Sequence, residues 1–200
     1  TTEALTYSPN DPARDRWLQR TVSQTGERLG QVRDRLFAAL DIQRHHTILD
    51  LNARSGLLTW EAVRRVPEGG VYTRVETEQD LKALTEQAAL LPELDRPVIF
   101  QAALAALGAA LSEVAAGVQF DRLVGRNVFG AIAPTPDQIQ AIVAVLNAKG
   151  QLALAETVPR DSQRLWQLVP ADKLTGKLSE RWRQAEEALY SNDEDPRFAW

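Results

Sequence analysis

Cysteine is absent from all 200 residues of the chain. Disulfides, thiolate catalysis and cysteine-ligated zinc are therefore excluded. Histidine is scarce: His45 and His46 are the only two, and they are adjacent. A histidine metal centre would need carboxylates from elsewhere, and no ligand spacing offers them, so no metal is expected. No apolar run reaches transmembrane length, since the alanine-rich stretch from Ala102 to Val118 is broken by Ser112 and Glu113. The amino terminus lacks a basic-then-apolar signal. These absences predict a cytoplasmic chain with no membrane partner. Charge of one sign is also missing in excess. The 23 basic and 27 acidic residues leave a net −4, which gives no general attraction to nucleic acid. Methionine is absent too, and a chain that opens on Thr1-Thr2-Glu3 without it is expected to be a fragment of a longer protein.

What is present suffices for a folded core. The hydrophobic fraction is 44%, and 200 residues fit one domain, or one domain with an appendage. The basic residues are mostly arginine, which grips phosphate and carboxylate more specifically than lysine. Here they are interleaved with acids and read as solvated helix faces.

Residues 1–42 read as a lead and two helices. Asp11-Pro12 is a helix-start signal, and a helix is expected from Ala13 to about Thr25, punctuated by Gly26. In the second helix Leu29, Val32, Leu36, Phe37 and Leu40 share one face. Residues 43–160 then alternate short apolar runs with helical stretches. Thr47–Leu51 is strand 1 and Leu57–Val66 a helix. Val71–Val75 is strand 2 and Glu78–Leu91 a helix. Val98–Phe100 is strand 3 and Ala102–Ala116 a helix. Phe120–Gly125 is strand 4, followed by a helix from Pro134 and Pro136 to Asn147 with Lys149-Gly150 as its stop. Gln151–Ala155 is strand 5. Such alternation implies right-handed crossovers and a parallel sheet covered on both faces. Residues 161–200 form a helical extension, with Ser162–Leu168 and Leu178–Tyr190 helical and no further strand.

The turn after strand 1, Asp50-Leu51-Asn52-Ala53-Arg54-Ser55-Gly56, leads straight into a helix. Strand, turn and helix N-terminus let a cofactor approach backbone closely, and the helix end favours negative charge. An acid after the next strand, here Glu76, can accept hydrogen bonds from ribose hydroxyls.

On these residues the segment from about Gln43 to Pro159 resembles the class I S-adenosylmethionine-dependent methyltransferases. Ile48–Gly56 is similar to the family's first motif, hydrophobic-L-D-L-G-x-G-S/T-G. Gly70–Glu76 is similar to its second strand and ribose-binding acid, Phe120–Val124 to its F-D-x-V strand, and Leu146–Leu152 to its L-x-x-G-G-x-L approach to strand 5. The resemblance implies an α/β Rossmann-like doubly wound parallel sheet of at least five strands, order 3-2-1-4-5. Helices would lie on both faces, with the N-terminal helices at the edge or over the cofactor cleft. It implies S-adenosylmethionine as cofactor, with Asp50, Asn52, Arg54, Ser55 and Gly56 around the methionine portion, Glu76 on the ribose, and Gln101 and Ala102 flanking the adenine.

The sequence departs from the pattern at Asn52 and Arg54, where glycines are expected, and at Gln101-Ala102-Ala103, where the family commonly places an acid. Asparagine tolerates left-handed backbone, so the turn can survive. Arg54 would either swing outward or fill the pocket. Gly125-Arg126-Asn127-Val128-Phe129 is not the N/D-P-P-Y/F element of amino-group methyltransferases, and no general base for oxygen methylation stands out. The β6–β7 hairpin that closes the family's sheet is not found before Trp200. The chain ends, Asn10–Trp17 and Ala185–Trp200, are similar to a methyltransferase-like domain that follows a AAA+ ATPase of the replication-associated recombination type in cyanobacterial proteins. Three functions stand open: a methyltransferase with a divergent loop and an unnamed acceptor, an inactive interaction or regulatory module attached to such an ATPase, and a binder of another nucleotide with Arg54 on its phosphate.

Overall fold

In the computed structural model, residues 26–130, 132–170, 173 and 176–199 are described. The helix expected over Ala13–Thr25 lies outside them. The chain divides into two compact units. One holds the described residues up to Val128 together with Pro136–Ala155, and the other holds Phe129–Thr135 with Glu156–Trp200.

The first unit is a five-stranded sheet: β1 Thr47–Asp50, β2 Gly70–Val75, β3 Val98–Gln101, β4 Phe120–Arg126 and β5 Leu146–Ala155. Every pairing is parallel and the order is β3-β2-β1-β4-β5. This is the Rossmann-like order the sequence implied. β1 is central, with Asp50 level with Thr73 on β2 and Val124 on β4. Ile48 and Leu49 are fully buried, as two-sided cover of a parallel sheet requires.

Among the described residues, five α-helices belong to this unit: α1 Glu27–Ala38, α2 Leu57–Arg65, α3 Glu78–Ala88, α4 Leu107–Val114 and α5 Pro136–Ala144. Leu36 and Phe37 of α1 enter one core with Trp60, Ala62 and Val63 of α2 and Leu84 and Ala88 of α3. Glu61 is buried beside them, and Arg64 and Arg65 hold its carboxylate at 2.6 Å each. Burial opposes ionisation there, yet the two arginines pull its pKa below the ordinary value.

Within this unit two boundaries differ from the sequence reading by more than three residues, and in the second unit the helix expected over Ser162–Leu168 is only a 3-10 turn, Leu165–Leu168. The helix expected over Ala102–Ala116 is a 3-10 turn, Leu104–Ala106, followed by α4. Its first residues still belong to the sheet edge, because the Ala102 amide donates to the Val75 carbonyl at 3.1 Å. Strand β5 begins at Leu146, inside the expected helix and ahead of its expected stop. The Lys149-Gly150 stretch is strand with a register shift opposite Phe120 and Arg122. A Cβ on Gly150 would come within 2.5 Å of the Leu146 side chain, so glycine serves the strand's close packing here.

In the second unit, α6 Gly176–Tyr190 follows two 3-10 turns, Pro159–Asp161 and Leu165–Leu168. Glu186 is the anchor. It is 7% exposed and accepts from the Leu165 and Trp166 amides at 2.6 and 3.2 Å. Arg164 lies 3.9 Å from the centre of the Tyr190 ring and Arg183 4.6 Å from that of Trp166. No strand follows Ala155 among the described residues, and none of the described helices is long and apolar enough to cross a membrane.

Candidate functional site at the carboxyl edge of the sheet

In an open α/β sheet, ligands bind outside the carboxyl ends of the strands where the strand order reverses. Here that reversal lies between β1 and β4. The residues expected from the sequence converge on this edge, because β1, β2 and β3 all end there.

Asp50 ends β1 and is fully buried. Its Oδ2 accepts from the Thr59 hydroxyl of α2 at 2.8 Å, and its Oδ1 accepts from the Asn52 amide at 3.1 Å. The Thr73 hydroxyl of β2 lies 3.4 Å from that of Thr59. Burial raises the Asp50 pKa to about 6, against the hydrogen bonds from Thr59 and Asn52 and the charge of Arg74. The carboxylate therefore orders the turn from beneath.

The turn itself is tightly held. The Gly56 amide donates to the Ala53 carbonyl at 2.7 Å, and Gly56 caps α2 with a left-handed φ of 78°. A Cβ there would lie 2.8 Å from Leu84 and closer still to the Trp60 indole, so only glycine fits. Trp60 in turn donates Nε1 to Gln87 at 3.1 Å, which ties the turn to α3.

Asn52 has a negative φ, so tolerance of left-handed backbone is not what it supplies. Its side chain is the useful part. It is 5% exposed, and Nδ2 donates to the Arg126 and Asn127 carbonyls at 3.1 and 2.8 Å. One amide thus joins the end of β1 to the end of β4, across the point where the strand order reverses. Its Oδ1 is buried without a hydrogen-bond partner. Asn127 takes a left-handed φ of 50° where it meets this bond.

Arg54 takes the other left-handed position, φ 43°, an uncommon one for a residue with a Cβ. Its side chain is exposed. With Ser55 it lines a shallow open depression completed by Asp80, Ala83, Leu84 and Gln87. Arg54 is thus open to solvent and part of the lining of this depression.

The residue the sequence reading passed over is Arg74. It is 2% exposed and points across the edge from β2. Its NH1 donates to the Leu51 carbonyl at 2.6 Å and its Nε to the Ala102 carbonyl at 2.9 Å. The guanidinium thus spans from the end of β1 to the segment after β3. Burial lowers its pKa, with Glu76 and Asp50 acting the other way. The signal was visible as a lone charge inside Val71-Tyr72-Thr73-Arg74-Val75, a run that otherwise reads as a buried strand.

Glu76 is exposed at the end of β2. Gln101 is exposed as well, and its Nε2 donates to the Glu76 carbonyl at 3.2 Å. Ala102 is half-buried next to it. His45 and His46 lie before β1, at the opposite edge, where the His46 Nδ1 accepts from the Gln43 amide at 3.1 Å. No cluster of three metal-ligating side chains occurs among the described residues.

No protein-family model matches the sequence, and no curated protein matches it. Solved structures do match the fold. Coclaurine N-methyltransferase bound to N-methylheliamine and SAH superposes with a TM-score of 0.53 at 14% identity, covering 74% of this chain and 52% of that one. The precorrin-6y C5,15-methyltransferase of Geobacter metallireducens gives 0.50 at 18% identity, covering 65% of each chain. The StiE O-methyltransferase region gives 0.51 at 17% identity, covering 62% of this chain and 41% of that one. This chain therefore spans less than two thirds of the length of each. These likenesses, all under 20% identity, show the fold: the chain carries the Rossmann-like fold of the class I S-adenosylmethionine-dependent methyltransferases.

Proposed function

We propose that this chain is a methyltransferase-like module that no longer takes the cofactor and serves as an interaction or regulatory domain. The observation that carries this reading is that Asn52 and Arg74 occupy the carboxyl edge and bond its backbone carbonyls. A ligand at the strand reversal would have to break Asn52 away from Arg126 and Asn127. A nucleoside above β2 would have to displace a buried guanidinium that satisfies Leu51 and Ala102. Leaving those carbonyls unpaired costs about 1–3 kcal/mol each, which a cofactor would have to repay before binding at all. On this reading the residues present do not fit S-adenosylmethionine at this edge. Binding of another nucleotide through Arg54 has less support, because the depression beside Arg54 and Ser55 is shared with the Asp80 carboxylate. The resemblance of the chain ends supports a place after a AAA+ ATPase in one polypeptide, which the complete gene sequence tests.

Titration calorimetry with S-adenosylmethionine and S-adenosylhomocysteine tests the cofactor reading. No binding is expected for the unaltered chain, and a clear micromolar affinity would overturn it. Because the Arg54 side chain is exposed, Arg54→Gly alone should change nothing. Asn52→Gly combined with Arg74→Gly should create or raise affinity if these two side chains are the obstacle.

A further inference from the structure

The outer side of α6 carries an apolar stripe. Leu178, Trp182, Ala185 and Leu189 follow one another at i, i+4, i+7 and i+11, which is the a/d repeat of a helix-pairing seam. All four are exposed, with Leu178 at 79%, Trp182 at 39% and Leu189 at 48%. The unit's own contacts use another side of the helix, where Glu186 holds the Leu165 and Trp166 amides and Tyr190 meets Phe198. Scattered exposed leucines need no explanation, whereas a continuous stripe at the helical repeat does.

We propose that α6 pairs with α6 of a second copy of this chain, antiparallel and about a two-fold axis. Two features favour that occupant. The first is self-complementarity. The stripe is centred between residues 183 and 184, so a two-fold sets Leu178 against Leu189 of the second copy and bulky Trp182 against small Ala185. The second is charge. The helix begins with Lys177 and Arg181, with Glu180 between them, and its end is followed by Glu194 and by Asp193, the latter already paired with Arg160. Antiparallel pairing lays the basic start of one helix by the acidic end of the other, while parallel pairing sets like against like. Eleven residues of helix span about 16 Å. That is a seam smaller than the ~800 Å² per partner of a standard interface, so the dimer is weak and concentration-dependent.

Sedimentation velocity on the 200-residue chain from about 5 to about 500 μM tests this, since affinities in that range suit a small interface. A dimer fraction rising with concentration is expected, and Leu178→Glu with Leu189→Glu should weaken it at least ~10-fold with the helical circular dichroism kept. Orientation has its own readout, because the chain has no cysteine of its own. Leu178→Cys protein oxidised together with Leu189→Cys protein should form the mixed disulfide dimer, with little of either homodimer. A chain monomeric at every concentration, a dimer indifferent to the glutamates, or dominant self-linking of Leu178→Cys would each overturn the proposal. Should the double glutamate variant lose its helix, the cysteine pairing still decides.

Discussion

Asp50 shows how one residue can be read from sequence in position and only partly in chemistry. Its place at the end of β1 follows from the apolar run before it and the turn after it. Its energetics follow from complete burial, which the sequence leaves open. The folded value of about 6 exceeds the ordinary 3.8, so the folded state holds the proton more tightly than the unfolded chain does. The associated stability is fully present below pH 3.8 and is lost as pH rises through about 6. The span corresponds to about 3 kcal/mol. Asp50→Asn keeps an acceptor for the Asn52 amide and cannot ionise. Its urea midpoint should therefore hold steadier than that of the unaltered chain between about pH 4 and pH 7. Parallel midpoint curves for the two proteins would refute the assignment. Gly56 was legible as a motif glycine, and its left-handed cap of α2 came from the structure. Asn52 and Arg74 were not legible. A departure from a glycine pattern signals change without telling what the new side chain touches, and the partners of both residues are backbone carbonyls on strands or segments distant in sequence.

At the scale of elements, local pattern served where burial is one-sided and failed where tertiary contacts set the boundary. Alanine-rich residues 102–116 have high helix propensity apart from Gly108, yet Leu104 and Leu107 enter the core where the turns begin. Lys149-Gly150 has the composition of a helix stop, but the segment pairs with β4 as strand and Asn147 ties it there. Its Nδ2 donates to Asp121 at 2.5 Å and its Oδ1 accepts from the Lys149 amide at 2.9 Å. In the second unit the decisive element contact is also polar. Glu186 sits mid-helix in a sequence that reads as a solvated face, and its two carboxylate oxygens each take a backbone amide from the Leu165–Leu168 turn. Hydrogen bonds to a charged acceptor contribute about 1.5–3 kcal/mol each. Glu186→Ala should therefore release that turn. Hydrogen exchange at the Leu165 and Trp166 amides should accelerate at least ~10-fold, while α1–α5 keep their protection. Unchanged protection at those two amides would show that the carboxylate does not hold the turn.

The whole molecule was the most legible scale, because topology rests on many weak signals that agree. Short strands, intervening helices and a parallel, right-handed path leave few arrangements for five strands. The observed β3-β2-β1-β4-β5 order is the one among them that the family resemblance implied. The same agreement stops short of function, since a shared fold does not carry a shared activity. The difference can be measured globally. A ligand that binds only the folded chain stabilises it by RT ln(1 + [L]/Kd), about 2.7 kcal/mol at one hundred times Kd. For a chain of this size that is a rise in Tm of roughly 5–10 °C. With Asn52 and Arg74 bonded across the carboxyl edge, ~1 mM S-adenosylmethionine should leave the Tm of the unaltered chain within about 1 °C. In Asn52→Gly/Arg74→Gly the same addition should raise it, from a starting Tm lowered by the lost bonds to Arg126, Asn127, Leu51 and Ala102. A clear rise in the unaltered chain would mean that those side chains yield to the cofactor. A flat response in both proteins would place the loss of binding elsewhere on the edge, with exposed Glu76 and the Gln101–Glu76 contact the next residues to change.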